Sequence, residues 1–346
     1  MRFNFQHVSR IAVLDDNCPE KARVRMILKS RKVLVFLITV TLMTTAWFAL
    51  RPNPQDPKLH GVLVFHRYSD YSAWNSQMYL INLESRQIVQ ISRQWKNVIS
   101  PINGHFSKDG LSLTFMASQA GLVENEWDVF VSHWNGTRWA EPINITGPNG
   151  KRDEDPKFSP VDDTIVYKQD GVLATRNSDG SDFKLLTSDE PESSMPYFLP
   201  NGTDILFERG GKIILRRANG ENEMRTLDNL STYYPIGVDT DRFLYTQIQS
   251  TRHDSIYFGF YDGHAPQRLF FDSEDYESSD SYPYEDANQF VFYVSTNPIS
   301  LKGGYNLFFA DIKNQIIFDM DSYAPGANTD LLELGPAWSA NAPFGA

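Results

Sequence analysis

Cysteine is nearly absent from this chain of 346 residues, which holds one thiol, Cys18. A disulfide framework is therefore excluded, and with it the small secreted folds that need one. Any zinc site would have to do without thiolate ligands. Long amphipathic helical stretches are missing too, which sets aside the helical bundles. The common chemical signatures do not occur either. There is no His-Glu-x-x-His, no Gly-x-Ser-x-Gly, no P-loop and no dinucleotide fingerprint. His60, His66, His105, His133, His253 and His264 fall in no metal-ligand spacing. The expectation is that no metal or organic cofactor is held; carboxylate-bound Ca²⁺ at the acidic run 272–277 would be the exception, but that run lacks EF-hand spacing.

Long apolar runs are scarce, with one exception. Residues 33–50 (VLVFLITVTLMTTAWFAL) carry no charge, near the minimum for a membrane-spanning helix. Lys21, Arg23, Arg25, Lys29, Arg31 and Lys32 precede it, and only Arg51 follows before RPNPQDP. Excess positive charge on the N-terminal side keeps that side cytoplasmic. The sequence thus predicts a cytoplasmic basic tail (1–32), a signal-anchor helix (33–50), a linker (51–59) and an extracytoplasmic domain (60–346). A cleaved signal peptide is the rival reading, with Thr44-Thr45-Ala46 as a poor cleavage site. A cysteine-free exported domain suits the periplasmic side of a bacterial inner membrane. Residues 52–346 hold 23 basic and 40 acidic side chains, a net of −17. Such a domain is a poor match for nucleic acid or anionic lipid.

What is abundant is glycine, proline and aromatic residues, arranged in a repeat. A Pro or Gly, an aromatic and a turn precede a hydrophobic run: Gly104-His105-Phe106-Ser107-Lys108-Asp109-Gly110 before LSLTF, Pro156-Lys157-Phe158-Ser159-Pro160 before TIVY, Pro196-Tyr197-Phe198-Leu199-Pro200 before DILF. Weaker copies begin at Pro235 and Pro283, and the last, Gly335-Pro336-Ala337-Trp338-Ser339, has almost no chain after it. Alternating strands such as WDVFVSHW and YNLFFADI follow, with Asn135-Gly136, Asp179-Gly180 and Asp262-Gly263 as hairpin turns. A 40–50-residue period of four strands reads as a propeller blade. Residues 61–92 supply a second, third and fourth strand but no first, and the orphan last copy supplies a first strand. The two should combine, giving an all-β, six-bladed β-propeller closed by its C-terminal strand.

The phrases FSKDGLSLTFMAS…WDVFV and EDPKFSPVDDTIVYK resemble the TolB-like β-propeller repeat family over about residues 60–340. The resemblance implies an interaction protein of the cell envelope, engaging a protein or glycan. No clear α/β domain precedes the blades, unlike TolB itself. In this topology the segments entering the first strands should ring the channel mouth: Asn103–His105, Arg152-Asp153-Glu154-Asp155, Ser193–Met195, Tyr233-Tyr234, Asp280–Tyr282 and Glu333-Leu334. Tyr68, Tyr71 and Trp74, between two strands of the composite blade, are further binding candidates. Binding or scaffolding is the first reading. Related propellers host polysaccharide lyases, so the alternative is a lyase using His105, Arg152, Tyr233 and Tyr282 to abstract a proton beside a carboxylate. The acidic balance and the lack of a catalytic motif weigh toward a non-enzyme.

Overall fold

The computed structural model describes residues 57–122, 126–188, 191–217, 225–227, 231–250, 253–271 and 273–346. The tail, the apolar segment 33–50 and all but the end of the linker lie outside them. Among the described residues no helix is long and apolar enough to cross a membrane. Lys58–Ala346 forms one compact unit.

Blade 1 contains β1 (Val62–Tyr68), β2 (Gln77–Asn82) and β3 (Gln87–Gln90). Blade 2 contains β4 (Val98–Phe106), β5 (Ser112–Gln119), β6 (Asp128–His133) and β7 (Ile143–Asn144). Blade 3 runs through β8 (Asp153–Phe158), β9 (Thr164–Gln169), β10 (Val172–Asn177) and β11 (Lys184–Leu185). Blade 4 follows with β12 (Ser193–Phe198), β13 (Ile205–Arg209), β14 (Lys212–Arg216) and β15 (Arg225–Thr226). Blade 5 is β16 (Thr232–Gly237), β17 (Arg242–Ser250), β18 (His253–Phe260) and β19 (Gln267–Arg268). Blade 6 is β20 (Ser278–Pro283), β21 (Phe290–Ser295), β22 (Asn306–Asp311) and β23 (Ile316–Asp319), followed by a single-turn helix α1 (Met320–Tyr323).

The last strand, β24 (Leu332–Ser339), pairs antiparallel with β1, so the first blade is built from both ends of the Lys58–Ala346 unit. Strands β24, β4, β8, β12, β16 and β20 each contact the next, and β20 contacts β24, so they form a closed inner ring. All six run in the same direction along the channel. Each blade packs its two faces on its neighbours, which is why middle strands such as FVFYVS and NLFFAD are buried at every position. Core clusters fill the gaps between successive blades. Outer strands β7, β11, β15 and β19 have two residues each.

Every inner strand contains a bulge. Its register against the second strand slips by one residue, and a left-handed residue sits at the slip: Asn103, Asp155, Met195, Tyr234, Asp280 and Gly335, with φ from 45° to 60°. Only one of the six is glycine, and a left-handed L-residue costs roughly 1–2 kcal/mol. The recurring proline lies just beyond this residue, at 156, 196, 235 and 336. A bulged position leaves the ladder, so the missing proline N–H costs nothing there.

Candidate functional site

The bulges divide the channel into levels. The entry end carries the starts of the inner strands, and the exit end carries their last residues. Arg152 immediately precedes β8 at the entry. Its guanidinium is 3.2 Å from Glu154 and 2.9 Å from Glu192, and Lys168 joins the same two carboxylates at 2.5 and 2.9 Å. Asp153 is buried and accepts from Gln169 at 2.8 Å and Asn149 at 2.9 Å. Tyr233, second in β16, donates its O–H to Asp254 at 2.7 Å. Arg152 and Lys168 thereby tie blade 3 to Glu192 at the start of blade 4, whereas Asp153 and Tyr233 are held within their own blades.

Beside them lies an aromatic shelf. Trp74 stacks on Trp127 with centroids 4.2 Å apart, and Tyr71 leans on Trp127 at 5.7 Å. Tyr68 meets Tyr71 edge to face. Asp70 accepts from the Ser72 N–H and starts the short turn that presents Tyr71. Tyr71 is 52 % exposed, while Trp127 beneath it is buried. Tyr71 lies within electrostatic reach of Glu154, Asp155 and Lys168, and burial pushes its phenol up.

The middle level is charged. Asp155 accepts from Asn103 Nδ2 at 2.9 Å, and Asp280 accepts from the Gly335 N–H at 3.3 Å. Desolvation pushes Asp280 up to about 6. The buried Lys157 amine lies 5.9 Å from the Tyr234 ring. Desolvation lowers its pKa, against the pull of Asp155 and Asp280. Burial also holds Tyr234 well above the usual phenol range.

At the exit the lumen is crossed by three side chains from alternate blades: His105 (β4), Tyr197 (β12) and Tyr282 (β20). The Phe158 N–H donates to His105 Nδ1 at 3.1 Å, which leaves the ring proton on Nε2. That Nε2 is 3.3 Å from the Tyr282 oxygen, and the Tyr197 and Tyr282 oxygens are 3.4 Å apart. Desolvation holds His105 well below and Tyr282 well above their ordinary values, and pushes Tyr197 up to about 12. This cluster floors a funnel of about 330 Å³. Pro160, Pro200, Val238 and Trp338 form part of its wall; Lys108 and Glu285 also line it.

The four residues of the lyase expectation do not converge. His105 and Tyr282 meet at the exit, whereas Arg152 and Tyr233 are engaged at the entry. The placement of Asn103–His105 as an entry segment is corrected. Strand β4 has nine residues and two register slips, so its entry is Val98-Ile99, and His105 lies one residue from its end. Tyr282 likewise lies next to the end of β20. Tyr68, Tyr71 and Trp74 do share the entry face with Glu154, and Asp155 lies one level below it. No group of three or more His, Cys, Asp or Glu suited to a metal lies together among the described residues. Asp272 of the acidic run lies outside them.

Tyr197, Lys157, Trp127 and the funnel were not foreseen. The signal for two of them was in the repeat. The residue two beyond each left-handed position is His105, Lys157, Tyr197, Ile236, Tyr282 or Ala337, and that position supplies the floor and Lys157.

No family model matches this sequence. No curated protein sequence matches it either. Similar solved structures exist. TolB from Acinetobacter baumannii is 12 % identical, with TM-score 0.59, over 82 % of this chain and 67 % of that one. A protein assigned as TolB from Agrobacterium tumefaciens is 12 % identical, with TM-score 0.55, over 82 % of this chain and 98 % of that one. The hydrazine synthase of Kuenenia stuttgartiensis is 10 % identical, with TM-score 0.61, over 83 % of this chain and 48 % of that one. Likeness at this identity speaks to fold, and proteins of different activities share it. In fold, this chain is a TolB-like six-bladed β-propeller.

Proposed function

We propose that this chain is a binding and scaffold module of the cell envelope, held at a membrane by residues 33–50 with its propeller on the extracytoplasmic side. A protein or glycan docks on the entry face. The observation that carries the reading is the aromatic shelf: a half-exposed Tyr71 backed by the Trp74–Trp127 stack on a rigid frame. Aromatic faces of this kind stack on sugar rings or anchor a partner at small entropic cost. Glu154 beside the shelf is already paired with Arg152 and Lys168, so the preference for a neutral or cationic partner rests on the net charge of the domain.

Proton abstraction is poorly served by the same geometry. His105 Nδ1 is occupied by a backbone N–H and Nε2 carries the proton, so no ring nitrogen is free to act as base. Tyr233 and Tyr282 are both pushed far above neutral by burial. Arg152 is spent on Glu154 and Glu192.

A photo-crosslinker at the exposed Ser72 in growing cells, together with a glycan array on the purified protein, tests the proposal. A discrete adduct or glycan signal that falls about tenfold in Tyr71→Ala and Trp74→Ala is expected. Release of unsaturated sugars from a polyuronate panel by the wild type would replace the binding reading with the lyase one. Extraction of the chain by alkaline carbonate would remove the anchor from the proposal.

A further inference from the structure

The funnel at the exit end, remote from the aromatic shelf, has a hydrogen-bond imbalance at its floor. Three protons are available there: one on His105 Nε2 and one on each of the Tyr197 and Tyr282 oxygens. Two contacts link the three groups, from Nε2 to the Tyr282 oxygen and between the two phenol oxygens. Each contact consumes one proton. If Tyr282 donates to Tyr197, the Tyr197 hydroxyl is left over; if Tyr197 donates to Tyr282, the Tyr282 hydroxyl is left over. Either way one O–H donor is unspent. Tyr282 is 9 % exposed and Tyr197 is half-buried with its phenol desolvated, so this donor is largely withdrawn from bulk water. A buried donor without a partner is costly, which makes a matching acceptor valuable.

The rest of the funnel defines what brings that acceptor. The apolar part of its wall includes Pro160, Pro200, Val238 and the Trp338 ring, and it is interrupted by the uncharged serine and asparagine side chains at 107, 159, 339 and 341. Lys108 and Glu285 contribute one charge of each sign and give no net preference. Below the floor, Lys157 is offset by Asp155 and Asp280. Nothing therefore pays for stripping water from a charged ligand. The volume is about twice that of a cavity known to hold benzene, enough for one ring and a carbonyl group.

We propose that the exit funnel is a binding site for an uncharged, largely apolar group bearing one hydrogen-bond-accepting oxygen, such as an aryl or acyl amide. The apolar body lies against the prolines, Val238 and Trp338, and the oxygen accepts from the phenol pair.

Saturation-transfer NMR on the full-length chain tests this with benzamide, its near-isostere thiobenzamide, benzoate and benzylammonium. Benzamide should bind. Thiobenzamide, whose sulfur is a weak acceptor, should bind about fivefold more weakly, the size of one ordinary hydrogen bond. Both ions should bind at least as weakly as thiobenzamide. Benzamide should also shift the ring resonances of His105 in histidine-labelled protein, and Val238→Trp, which fills the funnel, should abolish binding. The His105 shift and the thioamide comparison need no variant, so they decide the matter even if Val238→Trp misfolds. Absence of benzamide binding, equal affinity for the thioamide, tighter binding of either ion, or binding that leaves His105 unmoved would each overturn the proposal.

Discussion

At the scale of single residues, buried ionisable groups pull stability in opposite directions across the same pH range. Asp128 is fully buried, with one carboxylate oxygen held by Asn144 at 2.9 Å and the other without a partner. Desolvation pushes it up to about 7, and Asp280 up to about 6. An unfolded aspartate titrates near 3.9. Between about pH 4 and 7 the folded chain therefore holds protons that the unfolded chain has released, and this contribution to stability falls as pH rises. His66 and His105 act in reverse. Burial lowers His66 to about 3 and His105 well below its usual value, so their contribution falls as pH drops below about 6.5. The wild-type profile mixes both effects, but a single substitution isolates one. Asp128→Asn keeps the Asn144 contact and removes one titration. Relative to wild type its melting temperature should climb as pH goes from about 4 to 7, by roughly 2–4 °C for each kcal/mol recovered, and then level off. Asp280→Asn should do the same and level off about one pH unit lower. A flat difference in either thermal series would refute its assignment. None of this was legible in the sequence: Asp128 stands in an ordinary alternating strand, and only the packing of blade 3 against blade 2 seals it.

At the scale of the strand, the repeat was legible but its mechanical meaning was not. The repeat pointed to every inner strand, and in four of the six its proline sits at the bulge, a position that suits proline. What the sequence hid is the left-handed residue before the proline, since five of the six are not glycine. The slip also re-aims the residue two positions on, which is how His105, Tyr197 and Tyr282 reach one another across the lumen. His105 and Tyr282, counted from the sequence as entry residues, belong to the exit because each lies next to the end of its strand. The four two-residue outer strands fell inside longer hydrophobic stretches such as RWAEPINIT and QRLFF. The composition there gave strand character, but only two residues of each stretch are in strand conformation. Gly335 is the one bulge where the glycine is required. A Cβ built there would stand 2.8 Å from two atoms of the His66 ring and 3.2 Å from Asn103 Oδ1, on top of the cost of φ = 60°. His66 cannot easily retreat, because it is buried and its Nδ1 accepts from the Asn103 N–H at 3.3 Å. Gly335→Ala should destabilise the propeller by about 2 kcal/mol or more in urea titration. A loss below half that would mean the ring yields freely at this point.

At the scale of the whole molecule, the seam between β1 and β24 decides whether six blades make a ring or a row. Strand β24 supplies ladder bonds to β1 from Val62↔Ser339 to Tyr68↔Leu332. It also brings Glu333, fully buried, to 2.7 Å from Arg67, whose guanidinium further donates to the Gly326 and Ala327 carbonyls. On its other sides β24 packs against β4 and β20, so removing it opens two blade interfaces as well as a sheet edge. A chain ending at Leu331 should therefore lose cooperative unfolding throughout, not merely in blade 1. That loss alone would not separate closure from the simple removal of buried residues. A circular permutant does. Opening Lys58–Ala346 in the exposed loop between Lys302 and Gly303, and joining Ala346 to Lys58, turns β24 and β1 into an ordinary hairpin with the same contacts. If the seam acts through its contacts, the permutant should melt in one transition within a few degrees of the unpermuted Lys58–Ala346 unit, while the truncated chain gives no sharp transition. If the permutant is much more stable, the native seam is a weak point that opens first. If it fails to fold while its parent folds, the order in which the ends meet is itself part of how the ring closes.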